Sequence, residues 1–305
     1  MSTKCEIAII GGGPAGLSAG IYAARDKRDT VLIEKGVVGG LITMAEHVEN
    51  YPGFPDGING FELTDLMHKQ ATKFGLKTLN AEVTGLVIRG AEKIVKTTEG
   101  EISAKALIIA SGSEPSKLNV PGEAEFTGRG VSYCATCDAA FFQDANVAVV
   151  GGGDVAISDA LHLARFASKV YIIHRRDQLR ATRLLQDRAF SDPKIEFLWS
   201  TTVKAVEGKD VVERLRLNRV KTGEEYGMGI NGVFFAVGFK PNTEYLKDVV
   251  PLDKEGRIPV NAVMETAVPG IFAAGDVRSE SVRQVVAAAG DGAVAAINAI
   301  KFLGE

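Results

Sequence analysis

The chain has 305 residues, of which 46% are hydrophobic and 24% charged, and its formal net charge is −3. This balance is typical of a globular protein long enough for two domains, and the charge provides no basic field for nucleic acid or acidic lipid. The apolar run at residues 7–10 is too short for a signal peptide or a membrane span. We therefore expect a cytoplasmic protein that binds neither nucleic acid nor membrane.

Strand and helix signals alternate along the chain, which predicts a parallel α/β architecture. The order strand, glycine turn, helix, strand occurs twice, 140 residues apart. The strands are predicted at residues 7–10, 30–33, 147–150 and 170–173, and the helices at 17–24 and 157–166. A further strand at 271–274 precedes an apolar helix over 282–300. Two copies of this unit predict two Rossmann-like, doubly wound domains that bind nucleotides.

The first glycine segment has the form G-x-G-x-x-G directly after a strand and before a helix. Gly11 permits the tight turn, Gly13 lets the backbone approach a pyrophosphate, and Gly16 lets the helix pack close to the strand. The helix N-terminus then presents unpaired N–H groups to the phosphates. Glu34 lies 18 residues after Gly16, where an acidic residue is expected to accept from ribose hydroxyls. This element predicts a dinucleotide site.

The second glycine segment, residues 151–156, has the form G-x-G-x-x-A, and no acidic residue ends its second strand. His174, Arg175 and Arg176 stand there instead, with Arg180 four residues after Arg176. A carboxylate would repel a 2′-phosphate, whereas guanidinium groups can bind it bidentately. We therefore expect a preference for NADPH over NADH, and the alternative is a solvated basic patch.

Cys134 and Cys137 form a C-x-x-C pair between the two glycine segments. Such a dithiol exchanges two electrons by forming or opening one disulfide, and a nearby helix start lowers a thiol pKa. Asp138 follows as an acid that could protonate a leaving thiolate. Half of a zinc site and an inert buried pair are the alternatives, although four scattered histidines and no second cysteine pair argue against metal. Cys5 is interpreted as a small buried hydrophobic residue.

Two segments that combine Pro and Gly with polar residues, at 113–122 and 238–243, are predicted to cross between domains. They bracket the second βαβ unit. We therefore predict one discontinuous domain of residues 1–113 and 244–305, with a second domain of residues 114–243 inserted into it. The alternative is that both segments are ordinary surface loops.

Taken together, these residues resemble the low-molecular-weight thioredoxin reductases of bacteria and archaea over essentially the whole chain. GGGPAG at 11–16, VENYPG at 48–53, CATCD at 134–138, HRR at 174–176 and GD at 275–276 carry the resemblance. It implies FAD in the first and last segments, NADPH in the inserted segment, and a homodimer. Electrons would pass from NADPH through FAD to the Cys134–Cys137 disulfide and then to thioredoxin.

The motifs and the resemblance together define the expected site. The catalytic residues are Cys134, Cys137 and Asp138, and no metal is expected. The residues expected to bind a cofactor are Gly11, Gly13, Pro14, Ala15, Gly16, Glu34, Lys35, Gly40, Asn50, Gly112, Gly151, Gly153, Asp154, Val155, Ala156, His174, Arg175, Arg176, Arg180, Gly238, Gly275, Asp276, Arg283, Gln284 and Val285. By resemblance, Asp276 lies on the ribitol side of FAD, Arg283, Gln284 and Val285 lie at a helix start near the flavin ring, and Cys137 faces the flavin.

The sequence departs from the family pattern at two places. Leu41 follows Gly39-Gly40 where the family usually has glutamine, so a polar contact to the flavin is expected to be missing. Ser158 stands where glutamate is usual, and Asp159 beside it points about 100° away on a helix. We therefore expect weaker NADPH binding than in typical members, or help from another donor.

Other functions remain open at this point. A flavin-bound redox sensor would use the dithiol as a switch. A ferredoxin-fed reductase would need no NADPH site, and the presence of Arg175 and Arg176 argues against this alternative. A peroxiredoxin-linked reductase usually carries an additional N-terminal region. The dithiol and the NADPH site share the inserted domain, so the resemblance implies a swing on two hinges that presents each of them to the flavin in turn.

Overall fold

The structure is a computed structural model that describes residues 3–45, 48, 50–133, 135–246 and 248–304, and only the backbone of Met44, Thr136 and Cys137. The strands are β1 Thr3–Ile10, β2 Thr30–Glu34, β3 Lys77–Asn80, β4 Val83–Arg89, β5 Glu92–Thr97, β6 Gly100–Ile109, β7 Ser113–Pro115, β8 Val131–Ser132, β9 Asn146–Val150, β10 Lys169–Ile173, β11 Ile195–Leu198, β12 Thr201–Gly208, β13 Val212–Arg219, β14 Glu225–Gly229, β15 Gly232–Phe235, β16 Phe239–Pro241 and β17 Ile271–Ala273. The helices are α1 Pro14–Arg25, α2 Gly60–Lys73, α3 Ala135–Asp138, α4 Asp154–Leu163, α5 Arg183–Ser191 and α6 Val285–Leu303, with 3-10 turns at Gly40–Met44, Ala139–Phe142, Glu244–Leu246 and Gly275–Val277.

The chain divides into two compact units. The first unit consists of Met1–Glu114 and Lys240–Glu305, and the second is Pro115–Phe239. Strands β7 and β16, which carry the two chain crossings, pair as a two-stranded sheet. The crossings lie one and four residues from the boundaries expected from the sequence.

The first unit is built on a seven-stranded sheet in the order β3-β2-β1-β6-β5-β4, with β17 beside β6. Strands β3, β2, β1, β6 and β17 are parallel, and β5 and β4 continue the sheet in antiparallel fashion. The centre of the sheet is fully buried, as Ile7, Ile9 and Ile108 show. Strands covered on both faces need continuous apolar runs, which explains the sequence pattern at β1 and β6.

Helices α1 and α6 pack against each other with little space between their backbones. A Cβ at Gly292 would lie 2.0 Å from the carbonyl oxygen of Ala15. Within the part of the chain that the structure describes, α6 is the one helix long and apolar enough, by length and composition, to cross a membrane. Its residues Ala289, Ala295 and Ala299 lie in the hydrophobic core of the first unit. One face of α6 is therefore buried in this core, while Val286, Ile297 and Phe302 remain exposed.

The second unit repeats the same plan around a parallel sheet in the order β11-β10-β9-β15-β8. Helix α4 joins β9 to β10 and helix α5 joins β10 to β11. An antiparallel sheet, β12-β13-β14, then precedes β15. The predicted fold class, two Rossmann-like α/β domains with the second inserted into the first, is confirmed.

Three helices begin at positions that the hydrophobic pattern did not indicate. Helix α4 starts at Asp154 and ends at Leu163, three residues before the predicted bounds of 157 and 166. Helix α1 starts at Pro14, three residues before the predicted residue 17, because proline is well suited to the first helical turn. Helix α6 starts at Val285 instead of residue 282. Arg283 has φ +54° and Gln284 is extended, so neither continues a helix.

Candidate dinucleotide and dithiol sites

The first glycine loop connects β1 to α1. Gly11 has φ +103°, and a Cβ there would lie 2.3 Å from the carbonyl oxygen of Ala110. A Cβ at Gly13 would meet only the Cα of Gly40, at 3.9 Å. Gly13 is also the N-cap of α1, and no side chain caps this helix. The loop therefore leaves room for a phosphate at a helix end whose first N–H groups have no side-chain partner.

Glu34 closes this loop from the carboxyl end of β2. Its Oε2 accepts from the N–H of Gly12 at 2.8 Å, and its Oε1 accepts from the N–H of Gly36 at 2.9 Å. Gly12 N–H thus fixes the carboxylate beside the glycine loop. This is the position from which a carboxylate can accept from ribose hydroxyls.

A cavity of about 580 Å³ opens beside Glu34, a size within the range of small-molecule sites. Of the predicted residues, Gly11, Glu34 and Lys35 line it. Sequence reasoning missed its other walls, which are Ile10, Ile33, Ala81, Glu82, Val83, Thr84, Ser111, Glu114, Lys240, Pro241, Asn242, Glu244 and Tyr245. These residues have no motif, and only the strand order β3-β2-β1-β6 brings them together at the carboxyl edge of the sheet. Burial raises the pKa of Tyr245, whose hydroxyl donates to Ser111 Oγ at 3.1 Å.

The Gly275-Asp276 turn is held by a buried ion pair that sequence reasoning also missed. Asp291 Oδ2 accepts from the Gly275 N–H at 3.1 Å and from Arg278 Nε at 2.6 Å, and Asp291 Oδ1 accepts from Arg278 Nη2 at 3.1 Å. Gly275 itself lies against α1, because a Cβ there would be 3.0 Å from the Cβ of Ala15. The turn and the first glycine loop therefore belong to one site.

Asp276 projects from this turn. Burial raises the pKa of its carboxyl group, and Ser281 Oγ donates to Asp276 Oδ1 at 3.2 Å. Of the neighbouring predicted residues, Asn50 Nδ2 donates to Gln284 Oε1 at 2.9 Å. Arg283, Gln284 and Val285 thus form the entry to α6, and Gln284 is its N-cap.

Two further predicted residues of the first unit are Gly40 and Gly112, and Leu41 beside Gly40 is the first departure from the family pattern. Gly40 has φ +70° and approaches Gly13, since a Cβ on Gly40 would lie 3.0 Å from the Gly13 Cα. Gly112 has φ +67° with no atom near its missing side chain. The Leu41 side chain is exposed and has no polar atom, so it cannot make the hydrogen bond that a glutamine would make there.

The second glycine loop connects β9 to α4. Gly153 is the N-cap of α4, again without a side-chain cap, and a Cβ there would meet nothing within 4 Å. Asp154 Oδ1 accepts from the N–H of Thr182 at 2.6 Å, which ties the start of α4 to the loop before α5. Val155 is exposed and Ala156 is buried. Gly238 has φ +123° and accepts from the N–H of Ser116 at 2.9 Å.

His174 lies beneath this loop, where Glu34 lies beside the first. It is buried, and a Cβ on Gly152 would fall 2.4 Å from its ring. His174 Nε2–H donates to the carbonyl oxygen of Gln178 at 3.1 Å. Burial lowers the pKa of His174, so the ring is neutral at pH 7. In this position the imidazole supports the loop that follows it, and its predicted contact with a cofactor stays a prediction.

The arginines of the H-R-R segment surround a separate cavity of about 360 Å³. Arg175, Arg176 and Arg180 line it and are exposed. The N–H of Arg180 donates to the Gly152 carbonyl at 2.7 Å, which ties the basic loop to the glycine loop. The structure thus gathers the three guanidinium groups around one opening next to the second glycine loop.

The dithiol can be placed only in part. Cys134 lies outside the described residues, and the backbone of Cys137 belongs to α3, which ends at Asp138. Ala135 and Ala139 are buried in the core of the second unit with Ile157 of α4, so α3 is packed against that unit. Cys5 is different, because burial raises the pKa of its thiol to about 12. Such a thiol stays protonated and unreactive.

Helix α4 carries the second departure from the family. Ser158 is exposed, whereas Asp159 is partly buried and its pKa is raised to about 7 by desolvation. The Asp159 carboxyl group, in the second turn of this helix, therefore keeps its proton to a higher pH than an exposed aspartate does.

Comparisons with known proteins agree with this arrangement. The family model described as pyridine nucleotide-disulphide oxidoreductase matches residues 5–292. A thioredoxin reductase of Bacillus subtilis is 45% identical over 301 residues, covering 98% of this chain and 95% of the relative. That of Peptoclostridium acidaminophilum is 43% identical, covering 99% and 98%.

Among solved structures, thioredoxin reductase from Lactococcus lactis is 42% identical and superimposes with a TM-score of 0.88, covering 98% of this chain and 99% of that one. Both the sequence and the fold are thus similar over the full length of the relatives. The chain therefore belongs to the pyridine nucleotide-disulphide oxidoreductases and, within them, to the low-molecular-weight thioredoxin reductases.

Proposed function

We propose that this protein is an NADPH-dependent thioredoxin-disulfide reductase in which the first unit binds FAD and the second binds NADPH and carries the redox dithiol. The observation that supports this division is the contrast between the two glycine loops. Glu34 closes the first, whereas Arg175, Arg176 and Arg180 line a cavity beside the second. FAD, when bound, supplies the two-electron relay between NADPH and the Cys134–Cys137 disulfide.

In the first unit, the N–H groups at the start of α1 would bind the pyrophosphate, and Glu34 would accept from ribose hydroxyls. The cavity of about 580 Å³ beside Glu34 would take the adenosine end. Asp276 would contact the ribitol chain from a turn held by Asp291. The start of α6 would stabilise negative charge on the flavin ring through its N–H groups.

In the second unit, the N–H groups at the start of α4 would bind the NADPH pyrophosphate, and the three arginines would bind its 2′-phosphate. The absence of glutamate at position 158 would weaken the hold on the nicotinamide end. Asp159 does not replace that charge fully, because its raised pKa leaves it partly neutral at pH 7.

At the dithiol, one thiolate would attack the thioredoxin disulfide, and the second would resolve the mixed disulfide. Asp138 would supply a proton to the thiolate that leaves. Phe141, four residues after Cys137, is 82% exposed. A large exposed apolar side chain this close in sequence to the C-x-x-C pair is a suitable contact for a protein substrate.

The dithiol and the NADPH site belong to the same unit, whereas the proposed FAD site belongs to the other. We expect the second unit to swing on its two connections and present each site in turn. A cross-link between the units should therefore permit one half-reaction and block the other, and survival of both half-reactions would contradict the swing.

We also expect a cytoplasmic homodimer that binds neither membrane nor nucleic acid. Val286, Ile297 and Phe302 of α6 are exposed apolar residues that a second copy could cover. Sedimentation at micromolar concentration tests this, because a monomeric mass would contradict the expectation.

Turnover with NADPH and thioredoxin distinguishes the proposed enzyme from the alternative functions. Continuous NADPH consumption in the presence of thioredoxin is expected, with consumption many times the enzyme concentration. A flavin-bound redox sensor would stop after about two equivalents per chain, one to reduce the flavin and one to open the disulfide. A reductase fed by another donor would leave NADPH unused while accepting electrons from reduced ferredoxin.

A further inference from the structure

A lysine from a distant part of the second unit shares the cavity of the three arginines. Lys221 lies in the turn after β13, forty-one residues beyond Arg180 in sequence, and lines the same opening. Its Nζ lies 3.4 Å from Asp177 Oδ2, and both side chains are largely exposed. Asp177 also lines the cavity and is its one acidic member.

Backbone hydrogen bonds hold Lys221 in register with the arginines. The carbonyl oxygen of Arg176 accepts from the N–H of Ser200 at 3.1 Å, and the carbonyl oxygen of Ser200 accepts from the N–H of Val220 at 2.7 Å. Ser200 adopts φ +49°, a conformation that few residues other than glycine take. This strained residue links the basic loop to the turn that carries Lys221.

The charges in the cavity are unbalanced. Arg175, Arg176, Arg180 and Lys221 contribute four positive charges, and Asp177 contributes one negative charge. A phosphate dianion that enters this cavity would be attracted by the arginines and would compete with Asp177 for the ammonium group of Lys221. A ribose 2′-hydroxyl carries no charge, so it would neither be attracted in this way by the arginines nor compete with Asp177 for the ammonium group of Lys221.

We propose that Lys221 is a fourth cation of the 2′-phosphate subsite, and that Asp177 holds it when no phosphate is bound. This inference rests on the proposed function, in which this cavity takes the 2′-phosphate of NADPH. The Asp177–Lys221 pair then contributes to donor choice: Lys221 favours the phosphorylated nucleotide, and Asp177 reduces that preference.

The test uses two probes that differ only in the 2′-phosphate, adenosine 2′,5′-bisphosphate and adenosine 5′-monophosphate. Calorimetric titrations are done at low salt on the flavin-loaded protein and on its Lys221→Met and Asp177→Asn variants. The matched control is Lys204→Met, which removes an exposed lysine of β12 in the same unit. Flavin content and melting temperature check that each variant is folded.

Lys221→Met is expected to weaken binding of the bisphosphate about five- to tenfold and to leave the monophosphate unchanged. Lys204→Met should change neither by more than about twofold. Equal losses for Lys221→Met and Lys204→Met would overturn the proposal. If the parent protein itself did not prefer the bisphosphate, the proposed NADPH site would be wrong. Failure of the Lys221 proposal and failure of the proposed function therefore give different results.

Asp177→Asn is expected to strengthen binding of the bisphosphate, and to do so more when Lys221 is present than in the Lys221→Met background. The difference between the two gains measures the coupling of the pair. Equal gains in both backgrounds would overturn the assignment of Asp177 as the group that holds Lys221.

Discussion

The two glycine loops of this protein have the same backbone plan and opposite chemistry. Both follow a central parallel strand, both end at an uncapped helix N-terminus, and both have a glycine N-cap. Beside the first loop, the Glu34 carboxylate accepts from Gly12 N–H. Beneath the second, the neutral ring of His174 fills the corresponding place, and three arginines follow it. In the proposed assignment, the strand-turn-helix unit would therefore supply a pyrophosphate site in either case, and the residues at the end of the second strand would decide which ribose it accepts.

The two loops also differ at the last position of the glycine motif, which is Gly16 in the first loop and Ala156 in the second. A Cβ on Gly16 would fall 1.9 Å from the carbonyl oxygen of Gly11. The second loop carries a real methyl group at the equivalent Ala156, and Gly151 adopts φ +158° where Gly11 has +103°. The more extended glycine makes room for the methyl group. In this protein, the alanine therefore occurs together with a different conformation of the first glycine.

The largest effect is expected from replacing Arg175 and Arg176 together with alanine. Two hydrogen bonds to a charged phosphate are lost, each worth about 1.5–3 kcal/mol. The Michaelis constant for NADPH should rise roughly 10²–10⁴-fold, while that for NADH changes little. Steady-state kinetics with NADPH and with NADH measures both Michaelis constants. Equal changes in the two constants would contradict a role of these arginines in distinguishing the two donors.

The next largest effect is expected at the Gly275 turn of the first unit. Asp291→Asn leaves the Arg278 guanidinium without its carboxylate partner in a buried position. Breaking such a pair costs about 3–5 kcal/mol, so flavin retention and the melting temperature of the first unit should both decrease. Binding of adenosine 2′,5′-bisphosphate by the second unit is the internal control, and it should not change. If both ligands were lost equally, the two sites would not be independent.

A smaller effect is expected from exchanging the glycine and alanine of the two loops. Gly16→Ala forces a methyl group against the Gly11 carbonyl oxygen and should cost about 2–3 kcal/mol, with loss of flavin. Ala156→Gly removes a buried methyl group and adds backbone freedom, at about 1–2 kcal/mol. Urea unfolding followed by flavin and tryptophan fluorescence compares the two. A harmless Gly16→Ala would contradict the packing argument.

The smallest effect concerns pH. Burial raises the pKa of Asp159 from 3.8 to about 7, so between those values the folded protein binds more protons than the unfolded chain. This contribution to stability is full at low pH and is lost as the pH rises to about 7. Asp159→Asn should remove that slope and stabilise the protein above pH 7, where the parent protein must hold the desolvated carboxylate in its ionised form. Ser158→Ala, at the exposed neighbour, is the control, and identical pH profiles for parent and Asp159→Asn would refute the shift.

Sequence reasoning reached the features that are local in the chain. Gly11, Gly13, Gly16 and Glu34 follow a spacing that the βαβ unit dictates, and the structure brings the end of β2, with Glu34, beside the loop between β1 and α1. The replacement of Glu34 by His174, with two arginines directly after it, was equally visible, because a change of charge within one short segment needs no tertiary information.

The residues that sequence reasoning missed are joined only by the fold. Arg278 and Asp291 are thirteen residues apart, and neither belongs to a motif, so their ion pair depends on how α6 returns beside β17. Lys221 reaches the arginines through an antiparallel sheet, β12-β13-β14, whose strands gave no signal specific to the site. Trp199, whose ring lies 6.4 Å from that of His174, was unnoticed for the same reason.

The central claim is that electrons pass between a bound flavin and the Cys134–Cys137 pair. The most direct test is an anaerobic titration of the purified protein with NADPH, in which the visible spectrum and the number of titratable thiols are followed together. The account predicts a yellow protein whose flavin band decreases with NADPH and that gains two thiols per chain. A colourless protein, or a flavin that bleaches while the thiol count stays constant, would contradict it.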